Sequence, residues 1–501
     1  MIVEPSSDSF SNDFIFEITN VEVSVNNLNS ITYTLISDPN VIEESPVNID
    51  LFLESSYEDL MDNLFYDKDG YSFYWGDIGA DLAYINGPNN LDRYDIQSFD
   101  RNIEEVWSKH YSLIFKTNRA LEVIRDDFYE SSSNRNVTEL QAEFRFLRAL
   151  AYFNLVKLFG NPVYTIETGI DQELNQNIDL VHTLIEEDLK FAENNLTISR
   201  VYETASVAAA QVLLGKFYLY LGGFPNFETD KYQLALNQFE KIEGQYALEE
   251  NYADVFSISN ENNNSEVIFT IPFESGVPIK GGNSGVFWGP IGYSINDFLQ
   301  LDNSFIQDHF NRPEDAEGTI SFPLNINDSR FFTNIAPFEV VNGVAENDAN
   351  INNWRPFKFI SDVSITPGFD NSSENFPYLR YADVLLMIAE AENAINGPSQ
   401  KAYNAVNKVI RRSISSGGEL LVGLSQTEFL LEVMKQRKLE LCFEGQYKDD
   451  LIRNELLENT ILEFNNRNPS IQKQYDPHEY IWPIPFAELN ANPNVVQNPG
   501  Y

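Results

Sequence analysis

Apolar residues recur at helical spacing over several long stretches of the chain. From 139 to 164 it reads ELQAEFRFLRALAYFNLVKLFGNPVY, with no glycine before Gly160 and no proline before Pro162. Both residues stop helices. Leu140, Phe144, Leu147, Ala151 and Leu155 form one apolar stripe, and Phe146, Leu150, Phe153 and Val156 form a second beside it. Arg145, Arg148, Asn154 and Lys157 are left on a narrow polar edge. A helix apolar over two adjacent faces is held from two sides, so it is an inner helix of an array. Residues 100–127 carry Ile103, Val106, Trp107, Ile114, Leu121 and Ile124 on one side and pair with it as an antiparallel hairpin. A second pair is predicted over 178–194 and 204–221, with Thr204 as the N-cap of the latter. Residues 232–242 place Ala235, Phe239 and Ile242 at the spacing of a tetratricopeptide helix. The period returns at 376 and continues through 401–412 and 427–443. The pattern predicts an all-α dominated fold of about four degenerate tetratricopeptide-like helix pairs, each covering the apolar face of the last.

Two regions break this period. Residues 1–100 form an N-terminal segment that is Asn-, Ser- and Asp-rich at first, with β-like runs at 14–25 and 31–36 and a helix predicted over 47–65. The segment then enters YSFYWGDIGADLAYINGPNN, a glycine-containing loop holding Tyr71, Phe73, Tyr74, Trp75, Asp77, Asp81 and Tyr84. Residues 247–375 are rich in Asn, Gly, Pro and aromatics, with a strand predicted at 267–271 and a short helix over 299–310. A loop-rich stretch of this length with so many aromatics reads as a functional insertion lying over the array. The organisation expected is 1–100, helical repeats 101–246, insertion 247–375, and a helical repeat with a tail over 376–501.

Charge narrows the partners. The 33 basic residues against 76 acidic give a net charge of −43, which repels nucleic acid and anionic membrane surfaces. A neutral ligand fits this balance; solubility alone also accounts for it. One cysteine, Cys442, excludes a disulfide framework, and His110, His182, His309 and His478 lack metal-ligand spacing, so neither metal nor cofactor is expected. There is no run of 18 apolar residues. The opening MIVEPSSDSFSNDF lacks the basic region and apolar core of a signal peptide and reads as a mature chain with an added Met.

Four stretches, in order, carry a resemblance: FRFLRALAYFNLVKLFGNPVY, LRYADVLLMIAEA, RKLELCFEGQYKDDLIR and WPIPFAELNANPNVVQNPGY. Together they resemble the SusD/RagB family of outer-membrane glycan-binding lipoproteins of Bacteroidetes. One departure is visible at Tyr447 and Lys448, where the family has an Arg and an aromatic after the Glu-Gly pair. The resemblance implies a cell-surface protein that sits as a lid on a SusC-like TonB-dependent transporter, its helix-repeat side toward the barrel. The lipidated cysteine of such proteins is absent from the chain, and the expectation is that it has been trimmed away. The resemblance also implies a shallow glycan surface built from the segment before the first helix pair and from the insertion.

Trp107 lies on a helix stripe and Trp482 in the WPIP tail, so both are expected to pack. Trp75, Trp288 and Trp354 lie in loops of the two implicated segments. An indole covers the apolar face of a pyranose while neighbouring polar groups bond its hydroxyls. Trp75, Trp288 and Trp354 are therefore the expected stacking residues, supported by Tyr74, Asp77, Asp81, Tyr293 and Arg355. A neutral glucan or mannan is expected, with β-linked glucan of the laminarin type first. The rival readings are a glycoside hydrolase on a helical scaffold and a repeat scaffold for protein partners. Hydrolysis needs two positioned carboxylates, which 76 acidic residues make uninformative. No nucleophile elbow or phosphate loop appears, so no catalytic residue is assigned.

Overall fold

The computed structural model describes residues 21–27, 30–35, 46–60, 74–132, 135–168, 175–198, 203–274, 288–294, 298–310, 322, 324, 326–360, 373–414 and 417–501. Tyr71 and Phe73 lie outside them. The major helices are α1 (Ile49–Asp59), α2 (Arg101–Arg125), α3 (Val137–Phe159), α4 (Ile178–Asn195), α5 (Val207–Gly222) and α6 (Lys231–Glu240). They continue as α7 (Tyr381–Asn396), α8 (Gln400–Ser413), α9 (Gln426–Leu441), α10 (Tyr447–Arg453), α11 (Leu457–Arg467) and α12 (Phe486–Ala491). Helix α2 packs on α3, α3 on α4, α4 on α5, α5 on α6, α6 on α7, and α7 on both α8 and α9. This is the tetratricopeptide-like array the apolar period predicts, and no helix among the described residues is long and apolar enough to cross a membrane.

Four local expectations are corrected. The cap of α5 is Ser206, whose hydroxyl accepts from the Ala209 N–H at 3.2 Å, and not Thr204. Residues 299–310 divide into a strand, Leu299–Leu301, and a short helix, Asn303–Asp308, because Asp302 caps the latter through the Ser304 N–H at 2.9 Å. Residues Phe376–Arg380 are a strand leading into α7, paired antiparallel with Val267–Ile271, Phe376 opposite Ile271. A third helix pair forms from α6 and α7, so the insertion expected to follow the 101–246 repeats lies between the two helices of a pair.

Helix α3 is the inner helix its two stripes require, with Phe144, Leu147, Ala151 and Leu155 fully buried. Its polar edge also points inward. Arg148 bonds both Asp188 oxygens at 2.7 and 3.0 Å and Asn118 at 2.8 Å, and Lys157 pairs with Asp449 at 2.8 Å.

The stretch RKLELCFEG supplies Glu440 and Glu444, two of the four acids of a buried ion cluster. Glu444 receives Arg380 and Lys358, each at 2.8 Å, and Glu440 receives Arg380 at 2.6 Å, together with Arg412 and Arg330. Glu266 takes Arg380 at 2.8 Å and Arg412 at 3.0 Å, and Asp328 takes Arg330 at 2.6 Å. Arg330 and Lys358 belong to the insertion, so the cluster ties the insertion to α8 and α9. Burying so many charges offsets most of their mutual attraction, so the cluster specifies the arrangement more than it stabilises it.

Candidate functional site

The aromatic loop of the N-terminal segment folds inward. Gly76 lies so close to Gly445 that a Cβ there would sit 2.2 Å from the Gly445 carbonyl carbon. That approach pulls the loop onto the start of α10. Trp75 is only 3% exposed; its Nε1–H donates to Asp449 Oδ1 at 2.7 Å and its ring meets Trp482 edge-on at 5.1 Å. Trp354 has no exposure, donates to the Asp348 carbonyl at 2.9 Å and packs on Phe331. Trp288 is 4% exposed and faces the edge of half-buried Tyr74 at 5.3 Å. The expectation of solvent-held indoles is thus corrected: at all three positions the chain supplies an interior pocket. Trp107 and Trp482 pack as expected, at 4% and 2% exposure.

The expected supporting residues are structural as well. Asp77 is buried, accepting N–H bonds from Phe443 at 2.8 Å and Gly445 at 3.2 Å; burial pushes its carboxyl up to about 8. Asp81 is buried between Lys438 at 3.2 Å and Arg467 at 3.0 Å. Tyr293 is buried with Val340 and Ile360 in a small cluster apart from the main core. Arg355 is 3% exposed and donates to the carbonyls of Asn352 at 2.9 Å and Trp354 at 3.1 Å. Asp77 and Asp81 thus tie their loop to distant elements, Tyr293 and Arg355 hold the insertion, and Tyr74 is half-buried against Trp288.

The two implicated segments nevertheless meet, through a different element. Strand Ala83–Ile85, here β1, pairs antiparallel with Leu299–Leu301, here β2: Ala83 opposite Leu301, Tyr84 opposite Gln300, Ile85 opposite Leu299. The ladder runs one step further, from the Asn86 N–H to the Phe298 carbonyl at 2.7 Å. Ala83, Ile85, Leu299 and Leu301 are buried, so the two-residue period puts Tyr84, Asn86, Phe298 and Gln300 on the outer face. Phe298 is 63% exposed and Asn86 is exposed; half-buried Tyr84 donates its hydroxyl to Gln300 Oε1 at 2.7 Å. The result is one exposed ring beside amide and phenol groups. Beyond Asn86, Gly87 has open space where a side chain would lie.

Among the described residues, the cations near this ribbon are engaged. Arg93 donates to the carbonyls of Ile85 at 2.9 Å and Gly87 at 3.4 Å. Arg467 bridges Asp81 at 3.0 Å and Asp302 at 3.2 Å. The site can therefore stack on a ring and exchange neutral hydrogen bonds with it. Residue-by-residue reasoning from tryptophans missed Phe298, Asn86 and Gln300. The signal lay in the order Phe298-Leu299-Gln300-Leu301, an alternation that sets the phenylalanine on the polar phase of a strand.

Comparison with known proteins gives the class. A model described as the SusD family matches residues 254–501, and one described as starch-binding associating with outer membrane matches residues 18–219. The chain belongs to the SusD family. SusD-like protein P25 of Formosa agariphila is 27% identical over 486 residues, 85% of this chain and 87% of that protein. A SusD homolog from Bacteroides thetaiotaomicron superposes with a TM-score of 0.76 at 25% identity, over 90% of this chain and 96% of that one. A structure described as a laminarin-binding SusD-like protein has a TM-score of 0.69 at 24% identity, covering 91% and 100%.

Proposed function

We propose that this protein is a non-enzymatic glycan-binding protein of the outer-membrane surface that captures neutral glycan on the β1–β2 ribbon. The observation that carries the reading is Phe298, held 63% exposed where the N-terminal segment and the insertion join, with Tyr84, Asn86 and Gln300 on the same face. A stacked pyranose gains roughly 0.5–1.5 kcal/mol beyond area burial. With a few exposed hydrogen bonds the affinity falls at about μM to mM Kd, which suits capture and release. The net charge of −43 and the engaged Arg93 and Arg467 favour a neutral sugar over a uronate or sulfate. β-Glucan of the laminarin type is the first ligand to test; one structural neighbour is described as laminarin-binding and another as in complex with laminarihexaose. The partner receiving the glycan is a TonB-dependent transporter of the SusC type, on the extracellular face of the outer membrane.

Affinity gel electrophoresis over laminarin, an α-glucan, a mannan, alginate and a sulfated glycan tests this. The expected result is retardation by a neutral glucan without product release, lost in Phe298→Ala. Stronger retardation by alginate or the sulfated glycan overturns the neutral reading, product release restores a hydrolase, and no retardation by any glycan leaves a repeat scaffold. Co-purification with the transporter tests the hand-over.

A further inference from the structure

A cavity of about 60 Å³ lies between α3, α5 and α10, with Trp75 on its wall. A pyranose does not fit such a space, since small-molecule sites run from about 300 Å³ upward. A buried water needs roughly 10–15 Å³ and two to four polar partners.

Asn154 of α3 lines the cavity and is 2% exposed. One end of its amide, Oδ1, accepts from the Tyr378 hydroxyl at 3.3 Å; the other, Nδ2, has no hydrogen-bond partner among the described residues. A buried amide left in that state is costly, and protein interiors meet such groups with other side chains or with ordered water.

Two ammonium groups stand on the same walls. Lys157, one turn after Asn154 on α3, donates to Asp449 at 2.8 Å; Lys216 on α5 donates to Asp383 at 2.8 Å and to Gln446. An ammonium carries three N–H donors, so among the described residues both keep donors to spare. Each already faces a carboxylate, and Asp449 and Asp450 line the cavity as well, so an anion meets no uncompensated positive charge. Surplus donors with balanced charge call for a small neutral molecule that accepts hydrogen bonds and returns them to carboxylate oxygens.

We propose that this cavity is an internal hydration site, holding a cluster of ordered waters that bond the Asn154 amide and the Lys157 and Lys216 ammonium groups. Asp449 is the link outward: its Oδ1 accepts the Trp75 indole N–H at 2.7 Å and its Oδ2 the Lys157 ammonium. The waters therefore join α3 and α5 to the aromatic loop that leads into β1. The site rests on its own residues and is independent of the glycan reading.

A high-resolution crystal structure of the full chain tests it, with a second data set from crystals soaked in sodium bromide. The expected result is two or more ordered waters in the cavity, one of them at roughly 2.7–3.2 Å from the Asn154 amide and one at that distance from an ammonium. No anomalous bromide peak should appear there. A cavity without ordered density overturns the proposal, and so does a bromide peak beside Asn154, which would make it an anion site. In Asn154→Leu the amide-bound water should be lost while the ammonium-bound water stays. A water kept in the same place without the amide overturns the role given to Asn154. The wild-type maps decide the matter by themselves if that variant does not fold.

Discussion

Lys448 is a buried cation on α10, and replacing it by methionine tests what that burial costs. The residue is 1% exposed. Its ammonium sits 3.9 Å from the centre of the Trp75 ring and 4.7 Å from that of Tyr94, with only a 3.5 Å contact to the Glu479 carbonyl as a hydrogen bond. Burial lowers its pKa from 10.5 to about 7, with Asp449 and Glu479 opposing the shift and Lys473 adding to it. A lysine whose folded pKa is depressed binds fewer protons folded than unfolded, so stability rises with pH between about 7 and 10.5. Below pH 7 the penalty is fully present. A shift of that size corresponds to about 5 kcal/mol, and two desolvated cation–π contacts offset roughly 2 kcal/mol of it. Methionine fills the same volume without a charge, so Lys448→Met should be more stable by about 3 kcal/mol at pH 6. A chain of this length gains about 1 kcal/mol/K of unfolding entropy, so the variant should melt roughly 3 °C higher at pH 6. The gap should close to within about 1 °C by pH 10, where the folded-state lysine is neutral and most of the penalty has gone. Thermal melts of both proteins across this range provide the assay. A pH-independent gap, or a wild type that melts higher at pH 6, refutes the reasoning.

Three further outcomes follow from the same structure. Trp354→Ala should cost about 3–5 kcal/mol, seen as a lower melting temperature, while glycan retention by the folded protein stays at the wild-type level. Arg380→Met leaves Glu266, Glu440 and Glu444 short of a partner and should cost about 3–5 kcal/mol; limited proteolysis should then cut first within the insertion that this cluster ties down. Asp77 has its folded pKa raised to about 8, so its contribution is fully present below about pH 4 and is lost as pH rises through 8. Asp77→Asn should flatten that decline, measured as melting temperature against pH.

The helix array was legible in the sequence because its signal is local. Stripes at three- and four-residue spacing describe a face within a few turns, and α2 to α9 appear where those stripes lie. The double stripe of α3 even announced its inner position. The family, too, could be read from stretches that are themselves helix or tail. Exposure was not legible, because it depends on what arrives from elsewhere in the chain. Trp75 sits in a loop that looks open by composition, yet Trp482 and Lys448 close it from residues some four hundred positions away. Trp354 is sealed by Phe331, and the sequence around neither residue says so. The same holds for the ribbon: Tyr84 and Gln300 are 216 positions apart, and only their pairing turns Phe298 outward beside Asn86. The splitting of the third helix pair has the same origin, since α6 waits for α7 across the whole insertion. Periodicity determines which face of a segment seeks cover; tertiary structure decides which loops provide it and which rings are left in water.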